Sequence, residues 1–273
     1  SVSVIDLTPG VANLTNADVT TLTFESFNSE IDNLRAAGVR LFGPNATVAS
    51  DLEPEYICVS PDDKTALVTL QENNAVAVVD LENLKITTIN PLGYKDHSQV
   101  SNLLDASDRG GKLFFAPWNI KGAYMPDAIE CFEVGGVTYA ITANEGDARE
   151  YSAFVEAKRL GSLKLDSLVF PDARFLQKDE LLGRLNVTSA SGDTDGDGDL
   201  DEIYAFGGRS VTIWNTATGQ PVWDSGSDLE TITANDPVWG GVFNASNGTS
   251  AAFKNRSDDK GPEPEAVTIA EIE

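Results

Sequence analysis

The chain holds one histidine, one methionine and two cysteines in 273 residues, and 19 Lys and Arg stand against 43 Asp and Glu. Each shortage removes a class of function. A zinc site of the usual kind needs four ligands drawn mainly from His and Cys, and His97 with the separated Cys58 and Cys131 cannot supply them. A net charge of -24 argues against nucleic acid and anionic membrane surfaces as partners, because each phosphate contact draws on a Lys or Arg. No apolar run approaches the roughly 18 residues of a membrane span; AVAVV from Ala75 is only a strand's worth. No G-x-G-x-x-G or G-x-x-x-x-G-K-[ST] follows a strand, so nucleotide chemistry is unsupported, and no G-x-S-x-G elbow accompanies the lone histidine. His97 sits in GYKDHS, which reads as a polar loop before it reads as a general base or ligand. The chain opens SVSVIDL without an initiator Met or a leader, so we expect a piece of a processed precursor.

What the chain has in excess is acid, and the acid is patterned. The run DTDGDGDLDEIYAF places Asp193, Asp195, Asp197 and Asp201 at positions 1, 3, 5 and 9 of a loop, with the Asp199 carbonyl at position 7. Calcium takes six to eight oxygens, and this spacing converges them on one hard cation. Gly198 at position 6 supplies the sharp turn. An EF-hand needs a bidentate Glu at position 12, where this chain has Tyr204 and then an apolar strand, so a calcium-binding hairpin loop is expected instead. Without a cation the crowded carboxylates would repel one another.

Strand signals dominate the rest, as short runs of Val, Ile, Thr and aromatic residues between Gly, Asn, Asp and Pro. They also recur. AVAVVDL from Ala75 echoes SVSVIDL from Ser1 and SVTIWN from Ser210, and Pro54-Glu55-Tyr56-Ile57 echoes Pro126-Asp127-Ala128-Ile129 and Pro264-Glu265-Ala266-Val267. The strands ALVTLQEN and YAITANEG follow the first two, aligning Glu72 with Glu145, and EIYAFGG from Glu202 is assigned the same slot. A period of about 70 residues with about four strands per unit predicts an all-β β-propeller, one domain or a large part of one spanning 1–273. The excess over an ordinary blade is expected as insertions near 26–38, 91–122 and 151–185. Residues 26–38 read as a short helix with Ser29 and Asp32 at its start and Gly38 at its end, and 179–185 as another. The chain stops as a further unit begins, so a missing C-terminal part or a second chain is expected to complete the ring.

Cys58 and Cys131 each sit in an apolar strand context and read as two buried free thiols, a single disulfide being the alternative. Sequons at Asn13, Asn45, Asn186, Asn244, Asn247 and Asn255 suit an extracellular glycoprotein, as does a calcium requirement. Trp118, Trp214, Trp223 and Trp239 read as blade-packing residues.

Several blocks carry a family resemblance: DLEPEYICVSPDDKTALVTLQENNAVAVVDL, GYKDHS, LDASDRGG, MPDAIECFEVGGVTYAITANEGDAREY and SDDKGPEPEAV. They resemble the choice-of-anchor I family, which includes mesenchyme-specific cell-surface glycoproteins, and the calcium run resembles the loops of integrin-type propellers. The resemblance implies a secreted or surface-anchored, propeller-like protein, with links to mineral deposition in some members and to alkaline phosphatase in others. In a propeller the innermost strand ends ring a channel, so Glu55, Glu130, Glu145 and Glu265 are candidates for an axial metal site, with Arg149 and Arg256 as a phosphate clamp. Two functions follow: a calcium-binding structural, adhesive or mineral-associated surface glycoprotein, or a calcium-dependent phosphoesterase resembling PhoX-type enzymes. No nucleophile is identifiable, so the sequence leaves catalysis undecided.

Overall fold

The computed structural model describes residues 1–152, 154–248 and 252–272. Its regular structure is mostly β, with short helices between strands, as an all-β class requires. The centre of the first sheet is dictated by composition: Thr65–Leu70 and Ala75–Asp80 are near-continuous apolar β-formers, and such runs suit strands covered on both faces. They pair antiparallel, and Pro54–Val59 and Lys85–Pro91 flank them in a four-stranded meander that follows chain order. Leu70, Ala75, Ala77 and Val79 are fully buried there; a side chain of leucine size contributes roughly 1.5–3 kcal/mol when withdrawn from water.

The second sheet repeats this plan with Ala128–Val134, Val137–Asn144, Ser210–Asn215 and Gln220–Asp224, all antiparallel. Ala75–Asp80 and Ser210–Asn215, which echo each other in sequence, are the third strands of the two sheets. Between the second and third strands of the second sheet the chain makes a long excursion, residues 145–209. Three of its short strands join two from earlier in the chain in a five-stranded sheet of order Ala157–Arg159, Asn186–Thr188, Tyr204–Phe206, Lys121–Ala123, Tyr94–Asp96. Lys121–Ala123 runs parallel to Tyr204–Phe206, and the other pairings are antiparallel.

Several expectations change at this point. EIYAFGG does not occupy a repeat slot: Tyr204–Phe206 lies in the five-stranded sheet, because apolar alternation marks a half-buried strand without naming its partner. Residues 264–267 form no strand. Val2–Ile5 pairs with the chain's own Val19–Leu22. Among the described residues the sheets do not close a ring. Glu25–Glu30 is a 3-10 turn leading into the helix Ile31–Ala37, which stops at Gly38 with φ 105°, but neither Ser29 nor Asp32 caps it. The helix expected at 179–185 is a series of turns; a one-turn helix lies earlier, at Ala173–Leu176. A further helix, Asp228–Asn235, follows the last strand of the second sheet.

The cysteines are not free thiols. Cys58 and Cys131 form a disulfide with their Cα atoms 5.6 Å apart. They occupy matching places in the opening strands of the two sheets, so the repeat itself sets them opposite each other. Leu67, Val76, Ile129 and Ala140 pack around them and form the apolar seam between the sheets.

Candidate metal loop and carboxylate cleft

The aspartate loop hangs beyond Asn186–Thr188 and returns into Tyr204–Phe206. Asp193 organises it, accepting from the Gly196 N–H at 2.7 Å and the Gly198 N–H at 3.0 Å. Gly198 turns with φ 92°, a conformation that favours glycine. Asp195 and Asp197 accept from the N–H two residues on, both at 3.1 Å. One carboxylate oxygen from each of Asp193, Asp195 and Asp197 falls within 4.8 Å of the others. The Asp197 carboxyl accepts the Asp199 N–H, which favours the anion, yet loss of solvent and the charges of Asp195 and Asp199 hold it above the usual range.

Asp199 and Asp201 group differently, with Asp166. Leu165 bridges Leu200 in parallel and the Asp166 N–H donates to the Leu200 carbonyl at 2.9 Å, which brings Asp166 to the loop from far away in sequence. Asp199 is buried; one carboxylate oxygen pairs with Lys164 at 2.6 Å and the other has no hydrogen-bond partner among the described residues. Asp201 accepts from the Thr194 N–H and hydroxyl, both at 2.7 Å, and these bonds hold its carboxyl below the usual range. Sequence spacing alone missed Asp166, since no local pattern points to it.

The second candidate region lies where Pro54–Val59 and Ala128–Val134 begin. Gly146 and Gly207 fix its backbone: a Cβ on Gly146 would meet the Gly207 nitrogen at 2.3 Å, so the chain segments touch without side chains between them. That contact sets Glu145 and Asp147 on either side of Gly146. Glu145 accepts from Lys260 and from the Gln71 amide, and its carboxyl is raised by burial, partly offset by Lys260. One oxygen each from Glu145, Glu263 and Glu265 falls within 4.8 Å of the others. Glu55 is raised by loss of solvent and by Asp127, Glu53 and Asp147, and Asp127 by loss of solvent and by Glu265. Like charges on the two sheets therefore do converge here.

Both expected clamp residues are already engaged. Arg149 is buried, pairs with Asp51 at 2.8 Å and Glu53 at 3.2 Å, and stacks on Phe42 with its guanidinium 4.7 Å from the ring centroid. Arg256 pairs with Asp259 at 2.7 Å and with Glu263. Glu130 stands opposite Ile141 in the ladder, inside the strand, whereas Asp127 precedes its first residue. Glu72 was legible only as the repeat partner of Glu145; burial lifts its carboxyl to about 7, with Glu53, Asp147 and Glu55 adding to the effect.

His97 belongs to neither region. It is buried, its Nδ1 lies 2.7 Å from the Asn102 carbonyl, and burial with the Lys95 charge depresses it to about 3. Trp118 and Trp214 pack inside as expected, whereas Trp223 and Trp239 are exposed. Of the sequons, Asn13, Asn45 and Asn247 are exposed, the third residue of the last lying outside the described residues. Asn186 is half-buried and donates to Asp259 at 3.1 Å, and the Asn255 amide donates to Ser246 at 2.8 Å. Asn244 is no glycan acceptor in this fold: its buried amide nitrogen donates to Glu230 at 2.9 Å and Ser257 at 3.1 Å.

No helix among the described residues is long and apolar enough to cross a membrane. Gigasin-3a of Magallana gigas is 33% identical over 97 residues, 35% of this chain and 34% of that protein. The chain thus spans about a third of the length of this relative. Kuenenia stuttgartiensis hydrazine synthase aligns over 66% of this chain and 39% of its own at 15% identity, with a TM-score of 0.21, too low to argue a shared fold. The Choice-of-anchor I domain profile matches residues 1–273, and the chain belongs to that family.

Proposed function

We propose that the chain is a calcium-binding component of a secreted or surface-anchored glycoprotein, with a structural, adhesive or mineral-associated role. The observation that carries this reading is the convergence of Asp193, Asp195 and Asp197 within 4.8 Å, in a loop whose N–H groups already orient the carboxylates. A hard, all-oxygen donor set suits calcium. The Cys58–Cys131 bridge supports an oxidising compartment, since such bonds persist outside the reducing cytosol. The two matching four-stranded sheets support a reading as consecutive blades of a β-propeller, completed by chain beyond these residues or by a second chain. A phosphate clamp on the sheet ends would need uncommitted cations, and Arg149 and Arg256 are held by carboxylates. The structural role is therefore the better supported of the two.

Thermal unfolding in calcium and in chelator tests the reading. The wild type should melt higher with calcium, while Asp195→Asn/Asp197→Asn should lose most of that difference and keep its melting point in chelator. A calcium-independent wild type would overturn it.

A further inference from the structure

Two extended segments of the excursion meet at an isolated parallel bridge, Leu165 with Leu200. The Asp166 N–H donates to the Leu200 carbonyl at 2.9 Å, and the Leu200 N–H to the Lys164 carbonyl at 3.0 Å. Both leucines are buried in one apolar cluster with Leu160, Phe170 and Leu182. Side chains alternate along an extended chain, so the residues flanking the leucines turn away from that cluster together: Lys164 and Asp166 from one segment, Asp199 and Asp201 from the other. One carboxylate oxygen from each of Asp166, Asp199 and Asp201 lies within 4.8 Å of the other two. Backbone and hydroxyl donors hold two of these groups in place. Asp166 Oδ1 accepts from the Leu168 and Val169 N–H groups at 2.8 and 2.6 Å, and Asp201 Oδ2 accepts from the Thr194 N–H and hydroxyl. Asp199 gives the independent sign of a missing partner. It is only 7% exposed, and its Oδ1 is buried with no hydrogen-bond partner among the described residues. The one ion pair that the three carboxylates make among the described residues is Asp199 Oδ2 with Lys164, whose side chain is 70% exposed. A single solvated ammonium leaves two of three charges unbalanced, and a carboxylate oxygen shut off from water is costly unless a proton or a cation reaches it.

We propose that Asp166, Asp199 and Asp201 hold a divalent cation of their own, which ties the segment around Leu165 to the returning arm of the aspartate loop. The donors are carboxylates alone, with no imidazole or thiolate among them, which selects a hard cation such as calcium over zinc or copper. This site is separate from the Asp193, Asp195 and Asp197 group and does not rest on it. Lys164 competes with the cation for Asp199.

The test is calcium binding by isothermal titration on the full chain, in the wild type, in Asp195→Asn/Asp197→Asn and in Asp166→Asn. Asn at 166 keeps an oxygen for the Leu168 and Val169 N–H groups, so the turn survives while the charge is lost. The wild type should bind two equivalents. Each variant should keep one and weaken the other at least about tenfold, since ligand charge sets the affinity of such sites. In the Asp195→Asn/Asp197→Asn background, Lys164→Met should tighten the remaining equivalent, because it removes the competing ammonium from an exposed position. One wild-type equivalent that Asp195→Asn/Asp197→Asn abolishes and Asp166→Asn leaves unchanged overturns this site and keeps the loop reading. One equivalent lost on Asp166→Asn and kept by Asp195→Asn/Asp197→Asn supports this site and overturns the loop. A single equivalent weakened by both variants means one shared cation and overturns the separate site. Affinity unmoved or weakened by Lys164→Met also overturns the proposal.

Discussion

Cys58 and Cys131, 73 residues apart in sequence, bring their Cα atoms to 5.6 Å and lock the opening strands of two successive sheets together. The spacing matches the sequence repeat, so the bridge joins equivalent points of two units. It also stands over the apolar seam formed by Leu67, Val76, Ile129 and Ala140.

Replacing the bridge with Cys58→Ser/Cys131→Ser should therefore cost about 2–5 kcal/mol, because the open chain regains the entropy of a long loop and the seam loses its clamp. Denaturant unfolding measures this. An unchanged midpoint and slope would show that packing alone holds the sheets.

His97 gives a pH dependence with a definite sign. It is neutral in the fold, depressed to about 3 by burial and Lys95, with Arg209 opposing its charge and Asp224 favouring it. The unfolded chain protonates near 6.5, so between these values it binds one more proton than the native state. Stability contributed above pH 6.5 is lost as pH falls, by about 1.4 kcal/mol per unit. Glu72, raised to about 7, works in the opposite direction from 4.5 upward. The difference between wild type and His97→Gln isolates the histidine: on urea unfolding in chelator from pH 7 to 4.5, the gap should narrow in favour of the variant as pH falls. Parallel curves would contradict the assignment.

Arg209 is the hub of a buried polar network. Its guanidinium donates to Glu230 at 2.8 Å and to the Ser257 and Asp259 carbonyls at 2.8 and 2.9 Å, binding the Ser257–Lys260 block to the second sheet. Arg209→Met should cost about 3–5 kcal/mol because Glu230 is left buried without a cation, its remaining donor being the Asn244 amide, while Arg209→Met/Glu230→Gln should recover part of the loss. A single-variant cost below about 1 kcal/mol on denaturant unfolding would mean that water replaces the arginine.

How far the sequence was legible follows from what each signal encodes. The echo of AVAVVD in SVTIWN was visible because both are third strands with the same buried face. Tyr204–Phe206 was misplaced because a three-residue strand shows its pleat but not its neighbour, and its partner Lys121–Ala123 lies in a segment without apolar periodicity. The cysteine pair was misread by weighing each local context, although their separation of 73 residues is close to the repeat. In the loop, the grouping of Asp193, Asp195 and Asp197 was legible because their alternate spacing is local, whereas Asp166 arrives beside Asp199 and Asp201 through the Leu165–Leu200 bridge. In the cleft, Glu55 and Glu145 sit on the two sheets as their repeat positions imply, whereas Glu265 comes near Glu145 from a segment that forms no strand, and the commitment of Arg149 to Asp51 is a tertiary contact that no spacing reveals.

The most direct measurement is an anomalous-scattering map from crystals grown in millimolar calcium, collected at a long wavelength where calcium scatters anomalously. The account predicts a peak enclosed by Asp193, Asp195 and Asp197. A well-ordered loop with no peak between those three carboxylates would contradict it.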